Sequence, residues 1–342
     1  MSKLRDRIAN AKVRHPHFDQ AIKAAVSQMT FSVPGSIVAL VGPTRVGKST
    51  AIRAAARLVY PRTQNSGNIP YVVVDCSRTD AGFMSMRYLT LDLLTQLEHP
   101  FYSAPNGRLR VSQTETNARL QLRKAIEHRE TKLIIVDEAH HLLRIKNRDG
   151  REAALESLKC LGNETGAVIV LVGGYELLKG CFCSAHFNGR LTLIEFPRYG
   201  TSDAQMKQFD SILATFDQLL PWAKGNSLLS MSNLVYDGTM GSCGLISSWA
   251  LAALGQMTAA GATRLRREHF WKVRYLQQID AIASEIAYGE GALRPIEDAH
   301  EANRTTATLA LGTASRAQQS RRTRPGRRNP KRDSIESPGV AT

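Results

Sequence analysis

The sequence predicts an α/β protein: a parallel sheet flanked by helices, followed by a smaller all-helical unit and a basic tail. Three observations predict it. Short apolar runs at 37–41, 71–74, 133–136, 167–172 and 191–194 recur with helical stretches between them, the pattern of strands buried on both faces and joined by helical crossovers. From about Ser202 onward the pattern is helical throughout. From about Gly312, Arg, Ser, Gln, Pro and Gly dominate, a composition with too few apolar residues to bury a core. The expected organisation is a helical arm over 1–30, a sheet core over 31–200, a helical unit over 201–311 and a disordered basic tail over 312–342. A chain of 342 residues is long enough for all of these.

In chain order, Phe18, Ile22, Val26 and Met29 fall at a helical period and give the arm one apolar face, expected to pack on the sheet core. Ile37–Val41 reads as the first strand and Tyr71–Asp75 as the second. A helix is expected from about Phe83 to Leu97, then a loop at Ser103–Gly107. Ser112-Gln113-Thr114-Glu115 resembles a capping box and opens a helix to about His128. Lys132–Val136 is the third strand. Asp149 with Glu152 opens a helix ending near Gly162. Ala167–Val172 and Leu191–Ile194 complete the sheet. Beyond it, Ile212, Leu213, Phe216, Leu219 and Leu220 form a stripe closed by Pro221, and Leu245–Ala259 and Arg267–Tyr288 read as two further helices.

The first strand runs into Gly42-Pro43-Thr44-Arg45-Val46-Gly47-Lys48-Ser49-Thr50, which fits G-x-x-x-x-G-K-[ST], the phosphate-binding loop. Backbone N–H groups of such a loop wrap phosphates, and glycine permits backbone angles and approaches that a side chain would block. Lys48 is placed to reach the β- and γ-phosphates and the Ser49 hydroxyl to ligate Mg2+. The helix beginning there turns its positive end toward the anion. Asp137, at the end of the third strand and 89 residues after Lys48, is the second expected Mg2+ ligand. Glu138 beside it is the expected general base for the attacking water. Arg190, just before the fifth strand, is the expected extra cation for the transition state; a resemblance to ring or filament ATPases would imply that it reaches into a neighbouring subunit's site. The letters Asp137-Glu138-Ala139-His140 also spell a helicase box, but Gly173-Gly174-Tyr175 and the helical second half do not continue that pattern.

Charge narrows the partners. The net charge is +15, favouring an acidic partner, nucleic acid before anionic membrane. Residues 313–342 contribute eight basic and two acidic residues, so the body is mildly basic as well. The basic residues from Arg316 to Arg332 have no aromatic among them, which argues against base stacking. Five cysteines form no regular framework, and Cys76 and Cys160 read as buried free thiols. The segment from Leu245 to Gly261 is short and polar for a membrane span and the N-terminus resembles no signal peptide. The expectation is a cytoplasmic protein without a membrane partner.

The pieces His15-Pro16-His17-Phe18, Gly42–Ser49, Leu133–His140, Leu171-Val172-Gly173-Gly174 and Asn188-Gly189-Arg190 together resemble an AAA+ ATPase. More narrowly, they resemble the TniB/TnsC family of transposition regulators, relatives of the bacteriophage MuB protein. The similarity runs over roughly 10–285, making 31–200 the ATPase core and 201–311 its lid. Two family features are missing: Gly173 and Gly174 stand where a polar sensor is usual, and Gly241-Ser242-Cys243-Gly244-Leu245-Ile246 offers no second sensor arginine. Both suit a slow, partner-stimulated ATPase.

The resemblance implies ATP and Mg2+ as cofactors, head-to-tail self-assembly as a ring or filament on duplex DNA, recruitment of a transposase and a target-selector protein, and hydrolysis that disassembles the complex. DNA contacts would be to phosphates, independent of sequence. The candidates are Arg78 and Arg87 after the second strand, and Arg144, Lys146 and Arg148 after Asp137-Glu138. Other AAA+ functions, such as a helicase loader or a secretion-associated ATPase, share the nucleotide motifs. A nucleotide-gated scaffold with negligible hydrolysis would suit the missing sensors.

Overall fold

The computed structural model describes residues 2–11, 13–61, 67–76, 85–102, 114–144, 148–182, 189–273 and 276–293. Five parallel strands form one sheet: β1 (Ile37–Val41), β2 (Tyr71–Asp75), β3 (Leu133–Asp137), β4 (Val168–Gly173) and β5 (Leu191–Glu195). Their spatial order is β2-β3-β4-β1-β5. β1, β3 and β4 are buried along their whole length, which is why they read as unbroken apolar runs rather than alternating ones. β1 pairs with β4 on one side and β5 on the other, Ile37 opposite both Ile169 and Leu191. The chain leaves β1 for the far edge, returns through β3 and β4, then crosses to β5. The carboxyl end of β1 therefore opens a crevice where connections diverge.

Helices α2 (Pro16–Phe31), α3 (Lys48–Val59), α4 (Met86–Gln96), α5 (Glu115–His128), α6 (Arg148–Thr165) and the short α7 (Leu178–Cys181) accompany the sheet, whereas α1 (Ser2–Ala9) packs with the helices of the chain's second half. α2 buries Ala21, Ala25 and Met29, while Phe18, Ile22 and Val26 flank that stripe half-buried against the core of α3 and the strands. The apolar face is thus centred on small residues, which let α2 lie close to α3. The arm does not act as one piece. Ile8 of α1 is fully buried among the helices of the chain's second half, and its carbonyl accepts a bond from Ser247 Oγ at 3.0 Å.

The N-cap of α5 is Thr114, whose hydroxyl accepts from the Asn117 N–H, so the cap lies two residues later than the motif starting at Ser112 suggests. Ser112 lies outside the described residues, as do Cys183, Asn188 and the tail over 312–342. α6 continues through Gly162 to Thr165. Cys76 is buried, but Cys160 on α6 is exposed; position on a helix does not tell which face a small residue occupies.

Five further helices follow: α8 (Asp203–Asp217), α9 (Ser232–Thr239), α10 (Cys243–Ala259), α11 (Arg267–Lys272) and α12 (Leu276–Leu293). Phe209, Ile212, Leu213 and Phe216 of α8 meet Trp249 and Ala253 of α10 and Phe270 of α11 in a second core. The Trp249 indole N–H donates to the Phe270 carbonyl at 3.0 Å, so the largest buried ring leaves no polar atom unpaired. The stretch expected as one helix from Arg267 to Tyr288 is two, because α11 ends at Lys272.

Candidate functional site

The Gly42–Ser49 loop leaves β1 at the crevice and closes into α3 at Lys48. Gly47 holds φ at +108°, and a Cβ on Gly42 would stand 2.2 Å from the Phe196 carbonyl oxygen. No other residue fits either position without moving the backbone, so the loop keeps its N–H groups turned inward. Arg45 also takes a positive φ, 62°. Lys48 Nζ donates to the carbonyls of Gly42 and Pro43 at 2.9 and 2.7 Å. Burial lowers its pKa to about 8, opposed by the nearby carboxylates of Glu285, Glu138 and Asp137. An ammonium enclosed this way gains from a phosphate anion brought to it.

β3 delivers the acidic side of the site. Asp137 is 4% exposed. Its Oδ1 accepts from the Ser49 hydroxyl at 3.0 Å and from the Glu138 N–H at 3.0 Å. Arg53 Nη2 lies 3.4 Å from Asp137 Oδ2 and 3.4 Å from Asp75 Oδ1 at the end of β2. Glu138 sits at φ +52°, a left-handed position that turns its carboxylate out of the strand. There it is 57% exposed, with Oε2 3.2 Å from His140 Nδ1. An open cleft of about 560 Å³ brings together Ser49, Arg53, Asp137, Glu138 and His141. Cys76 also faces it, its pKa pushed up to about 12 by burial and then by Glu138, so the thiol stays protonated and inert near neutral pH.

The second half of the chain reaches the loop through backbone. The Gly244 N–H donates to the Arg45 carbonyl at 2.8 Å, and a Cβ there would be 2.2 Å from that oxygen. The Tyr199 N–H donates to the Gly241 carbonyl at 3.1 Å. The segment lacking a sensor arginine is therefore the segment that docks on the phosphate loop. On the other flank, Phe18 and Phe196 approach Gly47, and His15, His17 and Tyr199 continue the aromatic cluster. His15 caps α2, its Nδ1 accepting from the Phe18 N–H and lying 3.0 Å from Tyr199 Oη.

Burial, with His17 adding to it, lowers the His15 pKa from 6.5 to about 4; burial lowers that of His17 as well. The folded state therefore holds His15 neutral where the unfolded chain would protonate it. This contribution is complete above pH 6.5 and is lost as pH falls toward 4, amounting to at most about 3 kcal/mol. His15→Asn keeps a capping acceptor but does not titrate. It is expected to flatten the acid limb of the denaturant midpoint between pH 7.5 and 5, and equal acid limbs in the two chains would rule this origin out.

These groups can bind a polyphosphate and a divalent cation. Two glycines, a helix N-terminus and an enclosed ammonium form an anion cradle. The half-buried Ser49 and buried Asp137 present hard oxygens of the kind Mg2+ takes, and the outward Glu138 faces the open side.

Residues 33–179 match the family model described as AAA domain. That stretch is similar to AAA domains over less than half of the chain. Among solved structures the fold is similar to the Aeropyrum pernix ORC2 protein in its ADPNP–ADP complexes, at 14% identity and TM-score 0.51 over 82% of this chain and 72% of that one. Its ADP form gives 15% identity and TM-score 0.51 over 78% and 71%. At such identities the likeness is one of fold: a five-stranded parallel sheet of the AAA+ P-loop kind flanked by helices. A curated relative, phosphonates import ATP-binding protein PhnC 2 of Synechococcus sp. (strain JA-2-3B'a(2-13)), is 33% identical over 104 residues, 27% of this chain and 36% of that one. The chain thus spans about a third of that relative's length. Among the described residues no helix is long and apolar enough to cross a membrane.

Of the expected residues, Ser49, Asp137 and Glu138 line one cleft, and Lys48 lies in the field of both carboxylates. Arg190 does not join them. It immediately precedes β5, its carbonyl accepts from the Ile37 N–H at 3.0 Å, and its guanidinium bonds Asn163 Oδ1 at the end of α6. It therefore lies at the amino end of the sheet, whereas the phosphate loop leaves the carboxyl end; five residues of strand separate them by about 13 Å or more. Arg87 is part-buried in the first turn of α4. Arg78 and Lys146 lie outside the described residues, as do the side chains of Arg144 and Arg148.

Two site residues have no counterpart in the expectations. Arg53 stands one turn after Ser49 on α3, a helical spacing that could have shown it facing Asp137. Glu285 on α12 meets the loop from the far end of the sequence, and no motif points to it.

Proposed function

We propose that the chain is an ATP-dependent, DNA-binding regulator of transposition that assembles head to tail on duplex DNA and recruits a transposase. The observation that carries the assembly is the place of Arg190. At the end of the sheet opposite its own phosphate loop, it can complete a nucleotide site only in a neighbouring copy, and a contact of that kind is heterologous and self-propagating. The charge of +15 supports a polyanionic partner. Transposition rests on the sequence resemblance to TniB/TnsC proteins.

In this reading Lys48 and the loop N–H groups hold the phosphates of ATP. Ser49 and Asp137 would hold Mg2+, which would supply charge neutralisation for the phosphates. Glu138 orients a water and accepts its proton. Arg53, 3.4 Å from Asp137 Oδ2, holds that carboxylate in place. Hydrolysis is slow in the isolated chain and rises with DNA and partner.

Electron microscopy with duplex DNA and a non-hydrolysable ATP analogue is expected to give rings or filaments, weakened steeply by salt. Arg190→Ala is expected to remove DNA-stimulated hydrolysis. A mixture of Arg190→Ala and Lys48→Ala chains regains part of it, since each copy lends the other what it lacks. Dispersed monomers at low salt, or no recovery on mixing, would refute the assembly. Assembly on DNA with no response to a transposase would leave a different AAA+ role, such as a helicase loader.

A further inference from the structure

The carboxylate that meets the phosphate loop comes from α12. Glu285 Oε1 accepts from the Tyr175 N–H at 3.3 Å. Gly173, at the end of β4 two residues before Tyr175, pairs with Val41 where the loop begins, and the carboxylate sits in the field of Lys48. An anion therefore already stands beside the ammonium that a polyphosphate would use. A carboxylate at the edge of a cradle built for phosphate is a competitor for it: a terminal phosphate and Glu285 cannot share Lys48 without bringing two negative charges together.

The rest of α12 is fitted to hold Glu285 there. One turn on, Gly289 lets the helix lie directly on Tyr175, where a Cβ would be 1.9 Å from the ring. Tyr288 stacks under Lys179 Nζ, 5.0 Å from the ring centre. Glu290 forms a two-pronged ion pair with Arg198 at 2.7 and 3.2 Å. Arg198 also donates to Tyr236 Oη and to the Met240 carbonyl, both beside the segment that docks on the loop through Gly244. α12 thus touches the turn at the end of β4, beside the phosphate loop, and Arg198, which leads to the second core.

We propose that α12 is an autoinhibitory latch: Glu285 occupies the phosphate cradle in the nucleotide-free chain, and ATP binding expels it and loosens α12. The proposal rests on the reading of this cradle as a nucleotide site and adds its regulation. The missing sensor side chains at Gly173, Gly174 and Gly244 gain a reason, because the cradle's second-half partner in the resting state is an anion rather than an arginine.

The test uses the full chain and Glu285→Gln, which keeps the acceptor for the Tyr175 N–H and removes the charge. Binding of a fluorescent ATP analogue is measured for both, with hydrogen exchange across 280–293 followed with and without the analogue. The variant is expected to bind about tenfold more tightly, within the range of ordinary coupling between sites. In the parent chain, exchange in α12 is expected to rise when the analogue binds. Circular dichroism checks that both chains are equally folded. Equal or weaker binding by a folded Glu285→Gln, or an α12 whose exchange falls or stays constant on binding, overturns the latch while leaving the nucleotide site standing. No binding by either chain overturns the nucleotide reading and the latch with it.

Discussion

Lys48→Ala is expected to weaken ATP binding by at least about a hundredfold, as truncation of one member of an enclosed charge pair does. The size follows from where the ammonium sits. In the nucleotide-free chain it is folded under the loop, hydrogen-bonded to the carbonyls of Gly42 and Pro43, and burial has lowered its pKa to about 8 against the field of the nearby carboxylates. Two neutral acceptors and carboxylates not bonded to it compensate its desolvation in part, whereas phosphate oxygens supply formal charge in direct contact. Folding should change little, because the alanine leaves two carbonyls beside an open loop and no large cavity. Lys48→Arg is expected to fail nearly as badly, since a planar fork does not fit a cradle shaped around one compact charge. Titration calorimetry of the three chains with ATP and Mg2+ decides it. Affinity for Lys48→Ala within about threefold of the parent would place the phosphates elsewhere.

The sheet was legible because its strands are buried on both faces, so Ile37–Val41, Leu133–Val136 and Val168–Val172 carry no polar interruption and bound themselves. The phosphate loop was legible because glycine is required at Gly42 and Gly47 for steric reasons that leave a fixed spacing. The rest depends on partners that periodicity does not report. α1 shows an apolar residue at Ile8, but nothing local says that its partner is Ser247 and the second core rather than the sheet. The docking of the second half on the loop runs through the N–H of Gly244, and a backbone contact has no side-chain signature beyond the glycine itself. That glycine looked like a missing arginine because the expectation was of a side chain. Glu285 is the plainest case. A glutamate in a helical stretch reads as a solvated face, and only the tertiary path of α12 brings it to the Tyr175 N–H and the field of Lys48.

Glu138→Gln separates the enzyme from the scaffold. The residue is held by its own backbone at φ +52°, and its N–H is tied to Asp137 Oδ1 at 3.0 Å, so glutamine can take the same place. The amide keeps the size and a hydrogen-bonding oxygen but cannot accept a proton from water at neutral pH. Phosphate release in the presence of DNA is therefore expected to fall by about 10²- to 10⁴-fold, the usual worth of a positioned base, with ATP affinity unchanged. The variant should trap the ATP-bound assembly, so that complexes on DNA outlast those of the parent chain. His140, whose Nδ1 lies 3.2 Å from Glu138 Oε2, would hold a glutamine oxygen equally well, and a loss confined to turnover would thus report basicity rather than misplacement. If the parent chain with DNA and partner releases phosphate no faster than Glu138→Gln, the site is a nucleotide-gated switch without a working base. Assembly would then be reversed by nucleotide exchange alone, and the exposed carboxylate of Glu138 would serve only to hold His140.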